Sequence, residues 1–563
     1  MAPSPSTQSI TDLTTRFHKA KGDIPPLLIG ASVTIVGENL YLFGGRHKAS
    51  RQISSKLYVL SLETYFWKSV IPKNTPPTAR YFHSADCYEN HILLFGGMAS
   101  DKSSPNGLCA LGDIVLLNLQ DENGDLAWEY PDTQSTTLPQ PRYAHLSSIS
   151  GSELMIMGGQ DIENEYIPEV NVFDCKQKTW FNPIPIEPHY GAYRSAAVSI
   201  PTSSFASLNM PRIVDSANTS FASPFDENNA YNHSRQRNKT STVHVYSSSN
   251  IDGPVRQFHA LTVSTKGEFI DLTDRSNLLA GTALPPPLRF PVAFACGQYM
   301  VIAGSCITPT SSQYHIWALN FAAMAWTRLD AGPALSKGSW LRGALYKNSN
   351  RFYVFGHPDR SMGDDYKNRI VSFEYLVSID TEAFGIYQPP TPSYDAEAQG
   401  LGLCILNDMT LADLTIITTD QQSVPVNSAI LAQRWPSIRA LLSPLLSPEN
   451  PDPSVQTTHK LTFPDTHSVL VAFLQFIYTD QLLTAQQHQP HILSRLLLIA
   501  DLFGIARLKE LAVHALHQML NMSTASVIYE TAALSNSISL QIRALRVLIN
   551  AKKMMQRKQQ QQQ

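Results

Sequence analysis

The sequence predicts a multidomain protein: an all-β array of six similar sheets, then an α/β domain, then a short helical tail. Three observations predict it. A glycine-terminated apolar run recurs as LYLFGG (from Leu40), ILLFGG (from Ile92) and LMIMGG (from Leu154). An arginine in an aromatic or apolar setting opens successive segments: Arg80, Arg142, Arg194, Arg289 and Arg342. After the Pro-rich stretch YQPPTPSYD the pattern changes from strands to alternating strand and helix. A long, regular period marks one supersecondary unit used many times.

Each unit reads as four strands. In the first, ASVTIVG, LYLFGG, KLYVLSL and FWKSV are short runs rich in Val, Ile, Tyr and Phe, broken by turns. The glycine that ends the second run (Gly44, Gly96, Gly158, Gly304, Gly356) supplies freedom where the chain must turn against a neighbour. A tryptophan in the fourth run (Trp67, Trp128, Trp180, Trp326) offers large area for burial between adjacent sheets. One such sheet cannot bury both faces alone, so the units stack radially.

The arginine openings are 62, 52, 95 and 53 residues apart by subtraction of their positions. Residues 201–241 are rich in Ser, Asn, Thr and Pro and read as a disordered insertion. Removing those 41 residues leaves 95 − 41 = 54, one unit. The count is therefore six, the fourth unit carrying the insertion between its first two strands. A count of seven would make RQFHALTV, at Arg256, a further opening, but no glycine stop follows it.

Bulk properties narrow the function. At 563 residues the chain exceeds one ordinary core unless that core is a repeat array. A net charge of −3 provides no global field for nucleic acid or anionic membrane. Six scattered cysteines without a CxxC read as reduced thiols in a cytoplasmic setting. The N-terminal MAPSPSTQSI lacks a secretory pattern, so the Asn-x-Ser/Thr matches at Asn218, Asn232, Asn238 and Asn521 read as chance. The apolar run 290–307 is interrupted by Gly297, Gln298 and Tyr299, and is expected to be two strands and not a membrane span.

The glycine, arginine and tryptophan marks resemble kelch repeats over residues 25–388, behind a flexible 1–24. That resemblance implies a six-bladed β-propeller. After a linker at 389–400, residues 401–521 resemble a BTB/POZ domain through ADLTI, VNSAILA, FLQFIYTD and LLLIADLFGIARLKELA, in that order. Asn427 stands where that family usually has His followed by Lys. Residues 522–555 resemble the start of a BACK extension, and 556–563 read as a disordered polyglutamine tail. Kelch before BTB reverses the common order. The reversed order resembles the leucine-zipper-like regulator of Ras degradation and fungal kelch–BTB proteins acting in Ras signalling.

No catalytic, cofactor or metal residue is assigned. Arg80, Arg142, Arg194, His83 and His145 recur once per unit, which marks them as blade-packing residues. Neither HExxH nor GxxxxGK[ST] occurs. A copper oxidase propeller, the remote alternative, needs two His, two Tyr and a cross-linked Cys, and no segment shows that set. The expected function is a non-enzymatic adaptor. Its candidate client-binding residues are loop charges after the first glycine stop (Arg46, His47, Lys48, Arg51) and after the last (Asp359, Arg360, with Asp364 and Asp365). The BTB resemblance implies self-dimerisation or cullin-3 recruitment in a ubiquitin ligase complex. The expected cullin-facing segment is LLSPLLSPENPDPS, with Leu445, Leu446 and Glu449, though Leu446 and Glu449 lie one residue too far apart for the family's apolar-x-Glu triplet. The alternative is a scaffold binding a Ras-pathway protein without ubiquitin transfer.

Overall fold

A computed structural model of the chain describes residues 10–120, 124–132, 138–200, 241–249, 254–263, 270–435, 437–438 and 459–562. They form two compact bodies, one ending at Gln388 and the other starting at Pro389.

The first body follows the repeat. Sheet one holds Ser32–Val36, Asn39–Phe43, Leu57–Ser61 and Phe66–Val70. Sheet two holds Ser84–Tyr88, His91–Phe95, Ile114–Asn118 and Ala127–Glu129. Sheet three holds Leu146–Ser150, Glu153–Met157, Glu169–Asp174 and Thr179–Trp180. Sheet four holds Ser195–Ser199, Ser241–Ser249, Val255–Val263 and Ile270–Asp274. Sheet five holds Arg289–Cys296, Tyr299–Ile307, Ser312–Asn320 and Ala325–Leu329. Sheet six holds Ser339–Tyr346, Arg351–His357 and Tyr375–Asp380. In each, consecutive strands pair antiparallel; Leu93, for example, lies between Asp86 and Leu116. RQFHALTV is the third strand of sheet four, not a new opening. Most of the expected insertion, 201–240, lies outside the described residues.

Strand period two explains why the sheets need one another. Ile92 and Leu94 share a core with Phe43 and Leu57 of sheet one, whereas Leu93 and Phe95 share one with Leu154 and Ile156 of sheet three. Both faces of the strand are buried, so it reads as a continuous apolar run. Trp67, Trp128, Trp180 and Trp326 all lie in such intersheet cores, each at most 5% exposed. The core between sheets six and one joins Tyr353, Phe355 and Leu376 to Leu40, Leu42 and Trp67.

Two expectations need correction here. Residues 10–24 are not a free leader: helix α1 (Ile10–Thr14) leads into the strand Thr15–Lys19, which pairs with Tyr375–Asp380 and becomes the outer strand of sheet six. The glycine stop also works in two ways. Gly44, Gly96 and Gly158 have positive φ (69°, 63°, 59°), and the N–H of the following Gly45, Gly97 and Gly159 donates to a carbonyl of the next unit, on Arg80, Arg142 and Tyr190. Gly304 and Gly356 lie within strands, where a Cβ would stand 3.1 Å from the Arg289 carbonyl oxygen and 2.0 Å from that of Ser339. At Gly356 glycine is needed for that close approach, and at Gly304 it relieves a tight one.

The repeated arginines also divide. The Arg80 guanidinium donates to both Asp113 oxygens (2.9 and 2.7 Å) and to the Gly96 carbonyl (3.2 Å). Arg142 likewise donates to Glu169 and to the Gly158 carbonyl. Both are fully buried clamps across the second and third strands of their own sheets. Arg194 is exposed, contrary to its expected packing role.

In the second body, Leu414–Ile417 pairs antiparallel with Ser423–Val426 and parallel with His459–Thr462. Around that sheet pack helices α3 (Ala396–Asn407), α4 (Ser428–Arg434), α5 (His467–Thr479), α6 (Pro490–Phe503), α7 (Ala506–Met519), α8 (Ala525–Leu534) and α9 (Ile538–Gln562); α2 (Met362–Asn368) belongs to the first body. Trp435 sits in the core against Phe503 and Phe473, with ring centroids at 4.5 and 5.2 Å. Gly504, at φ 67°, ends α6 and breaks it from α7. Helix α3 lies against α5 because residue 402 is glycine: a Cβ there would meet the Tyr478 carbonyl at 2.2 Å.

Asn427 has a local role that accounts for its presence. Its Oδ1 accepts from the N–H of Ala429 and Ile430 (3.1 and 3.2 Å), capping α4, while its amide donates to the Leu411 carbonyl at 2.8 Å. Asn427→Ala is expected to cost about 1 kcal/mol, and up to about 2, in urea unfolding of the second body. Two boundaries also differ from expectation. Residues 396–400, expected as linker, begin α3, capped by Asp395. Residues 556–562, expected as a disordered tail, continue α9, consistent with the small rotamer loss of unbranched Gln in a helix.

Candidate functional site

The first strands of neighbouring sheets in the first body lie side by side in sequence order, and that of sheet six lies beside that of sheet one. Between them is a cavity of about 620 Å³. Its wall includes His83, Asp86, His145 and Arg342, with Phe82, Tyr143, Tyr193, Phe290, Tyr366 and Arg369.

Backbone bonds link sheet to sheet along this wall. The N–H of Phe82 donates to Gly30 O (2.8 Å), Ala144 to Phe82 O (3.1 Å), Ala192 to Ala144 O (2.8 Å), and Phe290 to Tyr193 O (3.0 Å). Four of these residues occupy the left-handed region: Gly30, Phe82, Ala144 and Phe290, at φ 68°, 57°, 52° and 47°. Glycine does so freely, but Phe82 and Phe290 do so under strain, and strain of this kind concentrates at functional positions.

The aromatic residues continue into guanidinium contacts. Arg46 lies over Tyr81 (5.1 Å), Tyr81 against Phe82 (4.9 Å), and Arg369 over both Phe82 (5.4 Å) and Phe290 (5.5 Å). Phe290 packs on Tyr193 (5.2 Å), and Arg289 lies over Tyr193 (5.1 Å). Tyr193 and Tyr366 hydroxyls are 3.0 Å apart. Burial, then the neighbouring Tyr193, pushes the Tyr366 phenol up to about 12.

Burial also holds His145 down to about 3 and His83 well below its ordinary value, each aided by the adjacent arginine. His83 Nε2 is 2.8 Å from Ser32 Oγ of the preceding sheet, and its ring meets Phe43 edge-on. These neutral histidines join sheets. Asp86 behaves differently: desolvation raises its carboxyl from 3.8 to about 6. A carboxyl whose pKa is higher folded than unfolded contributes stability in acid and loses it as pH rises through about 6. Asp86→Asn should therefore raise the melting temperature relative to the parent at pH 8 but not at pH 4, a comparison calorimetry can make.

Of the loop residues singled out in the sequence, Arg46 and His47 form a short strand of their own. Arg46–His47 and Ile370–Val371 are short strands flanking Leu28–Ile29, so the segments after the first and last glycine stops meet there. Lys48 donates its N–H to Leu27 O at 3.1 Å, and Arg51 sits in an exposed turn at φ 57°. Asp359 N–H donates to His357 Nδ1 (3.2 Å), and Arg360 is ion-paired with Asp365. Leu445, Leu446 and Glu449 lie outside the described residues. The sequence marks Arg342 only as a unit opening and does not single out Arg369 or the aromatic wall; the available signal was the aromatic residue beside the opening arginine in RYFH, RYAH, YR and RF.

On the second body, α3 turns Gly402 toward α5 and leaves Leu401 61% exposed, with Cys404 exposed and Met409 beyond it 75% exposed. Among the described residues no group of three or more His, Cys, Asp or Glu is placed to hold a metal ion, and no helix is long and apolar enough to cross a membrane.

A model of the KLHDC2/KLHL20/DRC7 Kelch-repeats domain matches residues 7–203, and the BTB/POZ domain model matches residues 405–520. The chain carries an N-terminal kelch-repeat domain and a C-terminal BTB/POZ domain. Among its relatives, Protein ral2 of Schizosaccharomyces pombe is 28% identical over 579 residues, spanning 95% of this kelch–BTB chain and 94% of that protein. Host cell factor 1 of Homo sapiens is 31% identical over 175 residues, 29% of this chain and 8% of that protein. Rho GTPase-activating protein gacHH of Dictyostelium discoideum is 34% identical over 117 residues, 21% of this chain and 7% of that protein. A solved structure described as "Structure of YjhT" overlaps at a TM-score of 0.40 with 12% identity, covering 62% of this chain and 94% of its own.

Proposed function

We propose that this kelch–BTB protein is a non-enzymatic interaction adaptor. In this reading the six sheets are blades of a closed propeller, clasped by the N-terminal strand, and a protein client is captured around the axial cavity. The observation that carries it is the roughly 620 Å³ cavity walled by aromatic rings and arginines, in a chain that also carries a BTB/POZ domain. The BTB domain self-associates through the exposed apolar face of α3, or recruits cullin-3 so that the client is ubiquitinated.

The test is capture of purified cullin-3 by the full-length protein, together with its mass in solution. Binding at micromolar concentration supports the ligase branch, and no binding counts against it. Leu401→Asp combined with Met409→Asp should halve the measured mass in light scattering if α3 and the turn after it make the dimer contact; an unchanged mass removes that assignment.

A second reading is a cytoplasmic scaffold for a Ras-type small-GTPase pathway without ubiquitin transfer. The end-to-end match to a fungal relative and the kelch-before-BTB order, which resembles fungal proteins of that pathway, favour it. If deleting the gene leaves Ras-pathway output unchanged, this reading fails.

A further inference from the structure

Positive charge is concentrated in one helix. Residues 531–563 hold six of the chain's 43 Lys and Arg and none of its 46 Asp and Glu, so the rest of the chain carries 37 − 46 = −9. The six are Arg543, Arg546, Lys552, Lys553, Arg557 and Lys558, all on α9. A charge asymmetry of this kind marks a segment that meets an acidic partner.

The root of α9 is built into the second body. Leu540 and Ala544 are fully buried, and Arg543 Nη1 donates to the His517 carbonyl at 3.1 Å and lies 2.8 Å from His517 Nδ1. Leu545, Val547, Leu548 and Ile549 are half-buried. From Lys552 to Arg557 every side chain is exposed, Met554 and Met555 at 58% each. At 3.6 residues per turn, Val547, Ala551, Met554 and Met555 share one side of the helix. Lys552 and Arg557 border that side on opposite edges. Long basic side chains so placed lay their stems along apolar surface and lift their charges to its rim. An apolar strip bordered by cations is the pattern of a helix lying in the interface of a bilayer.

We propose that the outer turns of α9 dock on an anionic phospholipid surface, with Met554 and Met555 entering the headgroup layer and Lys552, Lys553 and Arg557 held at the anionic headgroups. The negative charge on the rest of the chain is repelled by such a surface, which confines the contact to the helix. Nucleic acid would use the cations but leave the methionine pair in water. A helix-capturing protein groove needs several apolar anchors, and Leu545, Leu548 and Ile549 are already half covered within their own body.

Flotation of the full-length protein with vesicles tests it. Phosphatidylcholine vesicles containing about one-third phosphatidylserine should carry the protein up the gradient, and pure phosphatidylcholine vesicles should not. Lys552→Gln with Lys553→Gln should weaken partitioning about 30-fold, from about 1 kcal/mol per cation at the surface. Met554→Ser with Met555→Ser should weaken it about tenfold while every cation is kept. All four positions are exposed, so the melting temperature should not move. Lys337→Gln with Lys367→Gln, exposed on the kelch body, should float like the parent. Equal flotation with neutral vesicles, no flotation at all, or lysine variants that float like the parent would overturn the proposal. So would methionine variants that float like the parent together with tight binding of a duplex oligonucleotide, which would assign the helix to nucleic acid. Tighter binding of calcium-loaded calmodulin than of the anionic vesicles would overturn it in favour of a protein groove.

Discussion

A chain beginning at Ala20 should melt well below the full-length protein and scatter more light when heated. The strand Thr15–Lys19 covers the edge of Tyr375–Asp380 along its length, from Thr15 opposite Ile379 to Lys19 opposite Tyr375. Phe17 packs against Tyr375 and edge-on to Trp340 (5.4 and 6.1 Å), and His18 Nε2 is 2.9 Å from Ser378 Oγ. Each ladder bond contributes roughly 1 kcal/mol net, and ordering the segment opposes part of it. A net loss of a few kcal/mol is a large share of the ~5–15 kcal/mol that holds a typical domain. The uncovered edge also presents unpaired N–H and C=O groups to other chains. Calorimetry and light scattering on the truncated protein give the answer; an unchanged melting temperature would show that the strand is an ornament to sheet six and not part of its support.

Arg142→Met should cost about 3–5 kcal/mol in denaturant unfolding of the kelch body. The mutation strands the Glu169 carboxylate, whose side chain is only 22% exposed, and removes a donor from the Gly158 carbonyl. Much of that cost is the uncompensated charge, so Arg142→Met with Glu169→Gln should recover part of the stability. Arg194→Ala, at the corresponding place in the next unit but exposed, should fall within about 0.5 kcal/mol of the parent. Equal effects at Arg142 and Arg194 would refute the division of the repeated arginines into buried clamps and solvated side chains.

That division shows where sequence reading succeeds and where it stops. Strands of sheets one to three were legible because Leu40, Ile92 and Leu154 begin near-identical runs, and the tryptophans mark the fourth strand each time. The Thr15–Lys19 strand was not, because TRFHK carries neither mark and its partner lies about three hundred and sixty residues away, as His18 and Ser378 illustrate. Arg342 looked like another unit opening. Yet the pairing shifts between Trp340 and Arg342, so the same letter falls in the cavity wall instead of in a clamp. Arg369 follows α2, an insertion special to sheet six, and no repeat could announce it. Gly304 and Gly356 kept their place in the pattern but changed their reason. In the second body, the order of ADLTI, VNSAILA, FLQFIYTD and LLLIADLFGIARLKELA was readable from the sequence. The cap at Asn427 leaves no periodic mark, because it rests on one side chain bonding the N–H of Ala429 and Ile430.

The clasp between the two ends of the kelch body has a consequence for biosynthesis. Residues 15–19 leave the ribosome some 360 residues ahead of their partner strand Tyr375–Asp380. Until then, sheet one has no sheet six to cover its outer apolar face, and Leu40, Leu42 and Trp67 await Phe355 and Leu376. Contacts that distant in sequence form slowly. The nascent chain therefore passes through a long open stage in which that apolar face is uncovered and open to aggregation.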